Sequence, residues 1–274
     1  MSARLGIIGS PVAHSLSPAI QGAALEAARI DATYDRWETT LDGLPARLAS
    51  LREPDCLGAN VTIPHKQAVL PLLDEVSQLA AGIGAVNTIV NSAGRLTGHN
   101  TDGGGFIAAL EEAGFSPTGK RFLLVGAGGA ARGIAFALRA AGVAALAISN
   151  RTASRAHALA DAAGGSAVPF DAPPRGYDCV VNCTSAGMHG SGAEDALPCD
   201  PATADPGTLI VDIVYAPEET PLLRAAREVG LPVLGGLPML IHQGALAFEL
   251  WTGRPAPLGA MREAARAALA REAP

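Results

Sequence analysis

The sequence predicts an α/β protein of two units with parallel strands, and three observations carry that expectation. Apolar runs of strand length alternate with helical patterns from one end of the 274 residues to the other, the pattern of parallel sheets covered by helices. The texture changes at Phe115-Ser116-Pro117-Thr118-Gly119-Lys120, a polar turn that opens a second series of strands. Finally, 49% hydrophobic residues against 17% charged is a globular composition, which excludes a disordered or fibrous chain. A chain of this length buries a substantial core without disulfides.

Taken in order, Arg4–Ile8 reads as a strand and Ser17–Arg29 as a helix, with Pro18 suited to a first helical turn. Thr33–Thr39 and Leu57–Ile63 are further strands with a helical segment between them. His65 to about Ala80 is expected to be a helix bent at Pro71. Val86–Val90 and Arg95–Thr97, joined by Asn91-Ser92-Ala93-Gly94, read as a hairpin. Gly103–Ala113 is helical, and a unit boundary is expected within 102–120. Beyond it, Arg121–Val125, Ala145–Ser149, Asp178–Asn182, Leu209–Ile213 and Pro232–Leu234 are strands. From Pro238 onward the chain is helical, with a turn at Gly253–Pro257.

Several function classes fall away at this level. A net charge of −6 without a basic run argues against nucleic acid, whose phosphates require a basic face. The apolar content comes largely from Ala and Val, and no 18-residue uncharged stretch suggests a membrane span. The N-terminus lacks a secretory apolar core and cleavage site. Cys56, Cys179, Cys183 and Cys199 match neither metal nor redox spacing, so they read as thiols of a reducing, cytoplasmic compartment. No membrane partner is expected.

The most informative stretch is Phe122–Arg132. Strand, tight turn and helix follow one another, and the turn fits G-x-G-x-x-A. Gly126 allows the turn, Gly128 lets backbone approach a pyrophosphate, and Ala131 allows close helix–sheet packing. The helix start, with Ala127, Gly129 and Ala130, offers unpaired N–H groups and partial positive charge to phosphates. The stretch reads as a Rossmann-type dinucleotide site, with a merely structural glycine turn as the other reading. After the next strand an NAD site would place an acid; here stand Asn150-Arg151-Thr152, then Arg155. Two guanidiniums and a hydroxyl attract a 2′-phosphate, so the cofactor expected is NADP.

The first half carries polar residues where packing would not ask for them. Lys66 and Lys120 are the only lysines among 20 basic residues. Lys120 sits in a turn and reads as solvated. Lys66 follows Asn60-Val61-Thr62-Ile63-Pro64-His65, where alternation puts Asn60 and Thr62 on one strand face. It is expected in the first turn of a helix, the unfavourable end for a cation. A compact ammonium whose proton can move is one reading of its retention, and a solvated surface group is the other. Ser15 and Ser17 precede a helix, with Ser17 equally readable as an N-cap. Asn87-Thr88 interrupts an apolar strand. Asp102, in Asn100-Thr101-Asp102-Gly103, has a plain N-cap as its competing role. Together these groups suit a small polyhydroxylated ligand.

At this point the residues resemble a family. Ser15-Leu16-Ser17-Pro18, Asn60–Lys66, Ala85–Thr88, Asn100–Gly103, Gly126–Arg132, Asn150–Thr152 and Met239–Gln243 recur in this order in shikimate dehydrogenases. The resemblance implies NADPH-dependent, reversible reduction of 3-dehydroshikimate to shikimate in aromatic amino-acid biosynthesis. It also implies an N-terminal substrate domain, residues 1–101 plus 238–274, with the last helices folding back on it. An NADP domain of residues 102–237 follows, and the ligands meet in the cleft between. Carried over by motif, Lys66 and Asp102 form the catalytic pair. Ser15, Ser17, Asn60, Thr62, Asn87, Gln243 and Tyr215 bind substrate, and Ile213 and Gly236 join Gly126–Ala131 and Asn150–Arg155 as cofactor contacts. The chain departs from the family at His99, where an acid is common, and at Pro238, which replaces a frequent glycine. The implied enzyme is a monomer or homodimer using small-molecule partners. Two alternatives stay open: a quinate/shikimate dehydrogenase with relaxed cofactor use, and a non-catalytic NADP-binding regulator.

Overall fold

The computed structural model describes residues 2–272. They divide into two compact units, one running through Gly105 and resuming at Ile241, the other spanning Phe106–Leu240.

In the first unit the chain forms β1 (Ala3–Gly9), α1 (Ser17–Ala27), β2 (Ala32–Glu38), α2 (Leu44–Ser50), β3 (Cys56–Val61), β4 (Glu75–Val76), α3 (Gln78–Ile83), β5 (Thr88–Ser92), β6 (Arg95–His99) and the start of α4 (Asp102–Glu112). The strands make one sheet in the order β2-β1-β3-β5-β6-β4. β1 runs parallel to β2 and β3, whereas β5 is antiparallel to both β3 and β6. The sheet is therefore mixed, and the expected hairpin is what mixes it. Its turn places Ala93 and Gly94 at φ 52° and 85°, and Asn91 Oδ1 accepts from the Gly94 N–H at 2.8 Å. Paired positive φ values match the right-handed twist of flanking strands. The hairpin returns β6 parallel to β3, so the ends of β1, β3 and β6 and the start of β5 share one sheet edge. Ile8, Val61, Ile89 and Leu96 bury this sheet against Leu44, Leu48 and Leu51 of α2 and its end.

One expected element is corrected. Residues 65–80 are not a bent helix: turns run to a three-residue 3-10 segment at Leu70–Leu72, then β4, then α3. Leu72 N–H bonds to the Val69 carbonyl, closing the tighter turn. Glu75-Val76 then joins the sheet edge beside β6, and Ser77 caps α3 by accepting from the Ala80 N–H. Proline at 71 removes the donor a helix would use, and edge pairing wins the following residues. Lys66 therefore lies in a turn, not at a helix end.

The second unit holds β7 (Arg121–Val125), α5 (Gly129–Ala140), β8 (Ala145–Ser149), α6 (Ala153–Ala163), β9 (Ser166–Val168), β10 (Cys179–Asn182), β11 (Leu209–Asp212), α7 (Pro221–Glu228) and β12 (Val233–Leu234). All six strands are parallel, in the order β12-β11-β10-β7-β8-β9. This is the doubly wound Rossmann order, whose switch point falls between β7 and β10. Phe122, Leu124, Val181 and Val211 face one apolar layer, and Leu123, Val125, Val180 and Ile210 face the other. Burial on both faces is why these strands read as unbroken apolar runs. Burial also pushes the Cys179 and Cys183 thiols up, away from the thiolate that reactive cysteines need.

The last helices, α8 (Leu237–Thr252) and α9 (Leu258–Glu272), bring the chain back to the first unit. Trp251 Nε1 donates to the Ile89 carbonyl at 2.9 Å, and its ring meets Tyr34 with centroids 6.1 Å apart. Gly58, at φ +147°, makes room for this: a Cβ there would lie 2.1 Å from the Ile89 oxygen and 2.7 Å from Trp251 Nε1. Among the described residues no helix is long and apolar enough to cross a membrane.

Candidate active site

The edge shared by β3, β5 and β6 gathers the polar residues of the first unit. Asn60 on β3 stands opposite Thr88 on β5, which stands opposite His99 on β6. Just beyond, Lys66 Nζ donates to Asp102 Oδ2 at 2.6 Å. Both side chains are largely withdrawn from water, where an ion pair is screened little. The Lys66 carbonyl accepts from the Val86 N–H at 2.8 Å, which pins its backbone to the start of β5. His65 is buried, and one ring nitrogen lies 2.6 Å from the Thr39 carbonyl. A carbonyl only accepts, so Nε2 carries the proton.

Asp102 is not an N-cap. It begins α4, its N–H bonds to Asn100 Oδ1 at 3.1 Å, and Asn100 Nδ2 bonds to the Ala85 carbonyl. The carboxylate is left to receive Lys66 on one oxygen and Asn87 Nδ2, at 2.8 Å, on the other. Asn87 Nδ2 also reaches Thr101 Oγ1 at 2.9 Å and Gln243 Oε1 at 3.3 Å. Gln243 comes from α8 and approaches because Gly105 has no side chain: a Cβ there would sit 2.6 Å from the Gln243 nitrogen. Ser17 is not an N-cap either. Leu16 holds that position, and no side chain caps α1. Ser17 N–H instead donates to Ser15 Oγ at 3.3 Å. Thr62 donates its N–H to the Ile8 carbonyl, at the mouth of the same edge.

Asn60, Thr62, Lys66, Asn87, Asp102 and Gln243 therefore assemble around one edge, with Ser15 and Ser17 leading into α1. Tyr34 and His65, to which the sequence assigned no role, belong here too, as do Thr88 and Thr101, which it marked only as polar members of their stretches. Thr88 and Thr101 lie inside the motifs quoted above, and a threonine flanking a polar asparagine in an apolar strand was the available signal. Tyr34 gave none, since an aromatic on an alternating strand reads as core.

The second unit presents backbone rather than side chains. Gly126 has φ +116°, and a Cβ there would come within 2.9 Å of the Cys183 backbone, so the β7 turn and the end of β10 meet only around glycine. Gly128 occupies the N-cap of α5 with no side-chain cap, and space is open where its Cβ would point. Ala131 is buried against the sheet. Ala127 packs on the same layer, while Gly129 and Ala130 form the first turn of α5. At the end of β8, Thr152 holds the N-cap of α6 without bonding its N–H groups. Arg151 and Arg155 are exposed beside it, and Asn150 Nδ2 bonds to the Thr152 carbonyl at 3.0 Å. An uncapped 12-residue helix, open space at Gly128 and exposed guanidiniums make a donor set that fits a dinucleotide carrying a 2′-phosphate.

Ile213 and Tyr215 follow β11, and Gly236 precedes α8. A Cβ on Gly236 would fall 2.3 Å from the Ile213 oxygen. Asp212, fully buried, anchors this loop: it accepts from Asn182 Nδ2 at 3.0 Å, Val214 N–H at 3.0 Å and Thr220 Oγ1 at 2.7 Å. Burial pushes its carboxyl up to about 6 despite those three bonds. Among the described residues no cluster of His, Cys, Asp and Glu could hold a metal.

Comparison with known proteins bears on both units. Residues 7–89 match the shikimate dehydrogenase substrate binding domain, 109–221 the shikimate/quinate 5-dehydrogenase family, and 236–266 the shikimate 5'-dehydrogenase C-terminal domain. A shikimate dehydrogenase (NADP(+)) of Moorella thermoacetica is 47% identical over 97% of this chain and 93% of its own. One from Thermus thermophilus is 48% identical over 97% of this chain and 98% of its own. Among solved structures, a shikimate 5-dehydrogenase from Thermus thermophilus, in complex with NADP(H) and shikimate, superposes with a TM-score of 0.90. It is 45% identical, with 97% of this chain and 100% of that one covered.

Proposed function

The chain belongs to the shikimate dehydrogenase family, and on that footing we propose how its residues carry out the NADPH-dependent, reversible reduction of 3-dehydroshikimate to shikimate. The observation that carries the reading is the close, water-poor Lys66–Asp102 pair, ringed by hydroxyls and amides.

In this reading the first unit holds the hydroxy-acid substrate and the second holds the cofactor. Bound NADPH supplies the hydride that reaches the ketone carbon. Lys66 Nζ delivers a proton to the ketone oxygen as negative charge develops there, and takes it back in the reverse direction. Asp102 Oδ2 orients the ammonium, and Asp102 Oδ1 is fixed by Asn87 so that the carboxylate cannot swing away. Ser15, Ser17, Thr62, Asn87, Gln243 and Tyr215 offer donors and acceptors to the substrate's carboxylate and hydroxyls, with Asn60 supporting them. Gly126–Ala131 cradle the pyrophosphate at the start of α5. Arg151, Thr152 and Arg155 take the 2′-phosphate, with Asn150 shaping their turn. Ile213 and Gly236 line the rest of the cofactor path. An acid after β8 would repel that phosphate; its absence favours NADP over NAD. Free, unpaired cysteines fit a cytoplasmic enzyme.

The test is a set of initial rates for shikimate and quinate oxidation, each with NADP and with NAD. Fast turnover of shikimate with NADP alone is expected. Comparable rates with quinate or NAD would move the chain to a catabolic role, and no turnover with any pair would leave it a binding protein.

A further inference from the structure

We infer that Tyr34 and Thr88 are positioning residues for the Lys66–Asp102 pair, acting together through a single directed chain of hydrogen bonds. The inference rests on the reading of that pair as proton donor and partner. The Tyr34 hydroxyl donates to Asn60 Oδ1 at 2.7 Å. Asn60 Nδ2 donates to Thr88 Oγ1 at 3.2 Å, and Thr88 Oγ1 donates to Asn87 Oδ1 at 3.0 Å. Asn87 Nδ2 donates to Asp102 Oδ1 at 2.8 Å, and Lys66 closes the chain on Oδ2 at 2.6 Å.

Backbone groups fix the orientation of both amides in the chain. The Asn87 carbonyl, which only accepts, lies 3.1 Å from one end of the Asn60 amide, so that end is Nδ2. The other end is then Oδ1, and Tyr34 must donate to it. The Thr101 N–H, which only donates, lies 2.8 Å from one end of the Asn87 amide. That end is Oδ1, and Nδ2 is turned to the carboxylate. The two amides are thereby fixed in orientation. The Thr88 hydroxyl accepts from the Asn60 amide and has Asn87 Oδ1 at 3.0 Å and the Thr101 hydroxyl at 3.5 Å, so the nearer acceptor, Asn87, takes its proton.

All five residues from Tyr34 to Asp102 are buried, so water does not compete for these bonds. In such surroundings donors pointing the same way polarise one another, and the summed dipoles aim at Asp102. Burial pushes the Tyr34 phenol upward, which keeps its proton in place as the first donor.

The experiment uses the full chain and four variants: Tyr34→Phe, Thr88→Val, the two combined, and Thr88→Ser. Each single loss of a hydroxyl is expected to lower kcat by about 2- to 12-fold, the worth of one neutral hydrogen bond. KM for NADP and NADP affinity measured by fluorescence stay unchanged, because the second unit is untouched. The double variant falls no further than the worse single, since either break interrupts the same chain. Thr88→Ser, which keeps the hydroxyl, recovers kcat to within about twofold of the parent. Singles that lose melting temperature but keep parental kcat would overturn the inference, as would losses that multiply in the double variant. Lys66→Ala, run alongside, separates the two levels. Near-normal turnover there would sink the reading of the pair itself. Collapse there with unaffected Tyr34 and Thr88 variants would sink only the chain.

Discussion

Each unit contains one lysine, and each lysine faces an aspartate, yet the two pairs differ in nearly every physical respect. In the first unit Lys66 and Asp102 are 2.6 Å apart, with side chains 14% and 5% exposed. In the second, Lys120 and Asp178 are 3.5 Å apart, with 45% and 38% exposed. Asp102 is further held by the Asn87 amide, whereas Asp178 receives the Arg121 N–H and otherwise faces solvent. The exposed pair is weakened by water and salt and by the entropy of two long side chains. The enclosed pair has one geometry and little competition. The same two residue types thus form a fixed, enclosed pair or a solvated surface pair according to what surrounds them.

Truncating both lysines puts this contrast at greatest risk. Lys66→Ala is expected to lower kcat for shikimate oxidation by about 10²- to 10⁴-fold, with a smaller change in KM. Steady-state kinetics at saturating NADP checks it, and near-parental turnover would remove the distinction between the two pairs.

Asp212 adds a third case, a buried carboxylate with three neutral donors and no cation. Its carboxyl is pushed up to about 6 from an ordinary 3.8, so between those values the folded chain holds a proton the unfolded chain has released. Its contribution to stability therefore falls as pH rises through that window and stays low above it. Relative to Asp212→Asn, the parent should lose up to about 3 kcal/mol of unfolding free energy between roughly pH 4 and 6. Paired urea titrations across that range measure it. A difference independent of pH would mean that the three neutral donors fully offset burial and leave the Asp212 carboxyl unshifted.

Arg151 and Arg155 test the case of exposed charge waiting for a ligand. Arg151→Ala should raise KM for NADP by roughly tenfold or more, the loss of a charge-assisted bond worth about 1.5–3 kcal/mol. The NAD kinetics should change little. Equal effects on both cofactors would show that Arg151 does not read the 2′-phosphate. The smallest effect belongs to Lys120→Ala, for which thermal unfolding should shift by less than about 1 kcal/mol and kcat not at all.

Where strands are apolar on both faces, as in β7, β10 and β11, the sequence pattern and the observed element agree closely, because burial on both sides leaves an unbroken signal. The Gly126–Ala131 turn is legible for a similar reason: φ +116° beside the Cys183 backbone admits glycine alone. Residues 65–80 mislead because helical spacing there competes with a sheet edge that periodicity does not show. Tyr34 escapes notice, and Thr88 stands out only as a polar residue without a role, because their hydroxyls bond to Asn60 across 26 and 28 residues of chain.

The α/β class, the glycine turn with its basic partner after β8, and the set of polar residues can all be read from the chain before it is folded. These are local properties: periodicity, turn chemistry and residue type. Folding alone settles that Lys66 stands in a turn, that Asp102 and Ser17 are not helix caps, and which way each amide and hydroxyl points. The hairpin reverses β5 and α8 returns over the sheet, so Asn60, Thr88, Asn87, Asp102 and Gln243 meet at one edge. Their hydrogens are then set by backbone donors and acceptors distant in the chain, and contacts between such distant residues leave no periodic trace in a sequence.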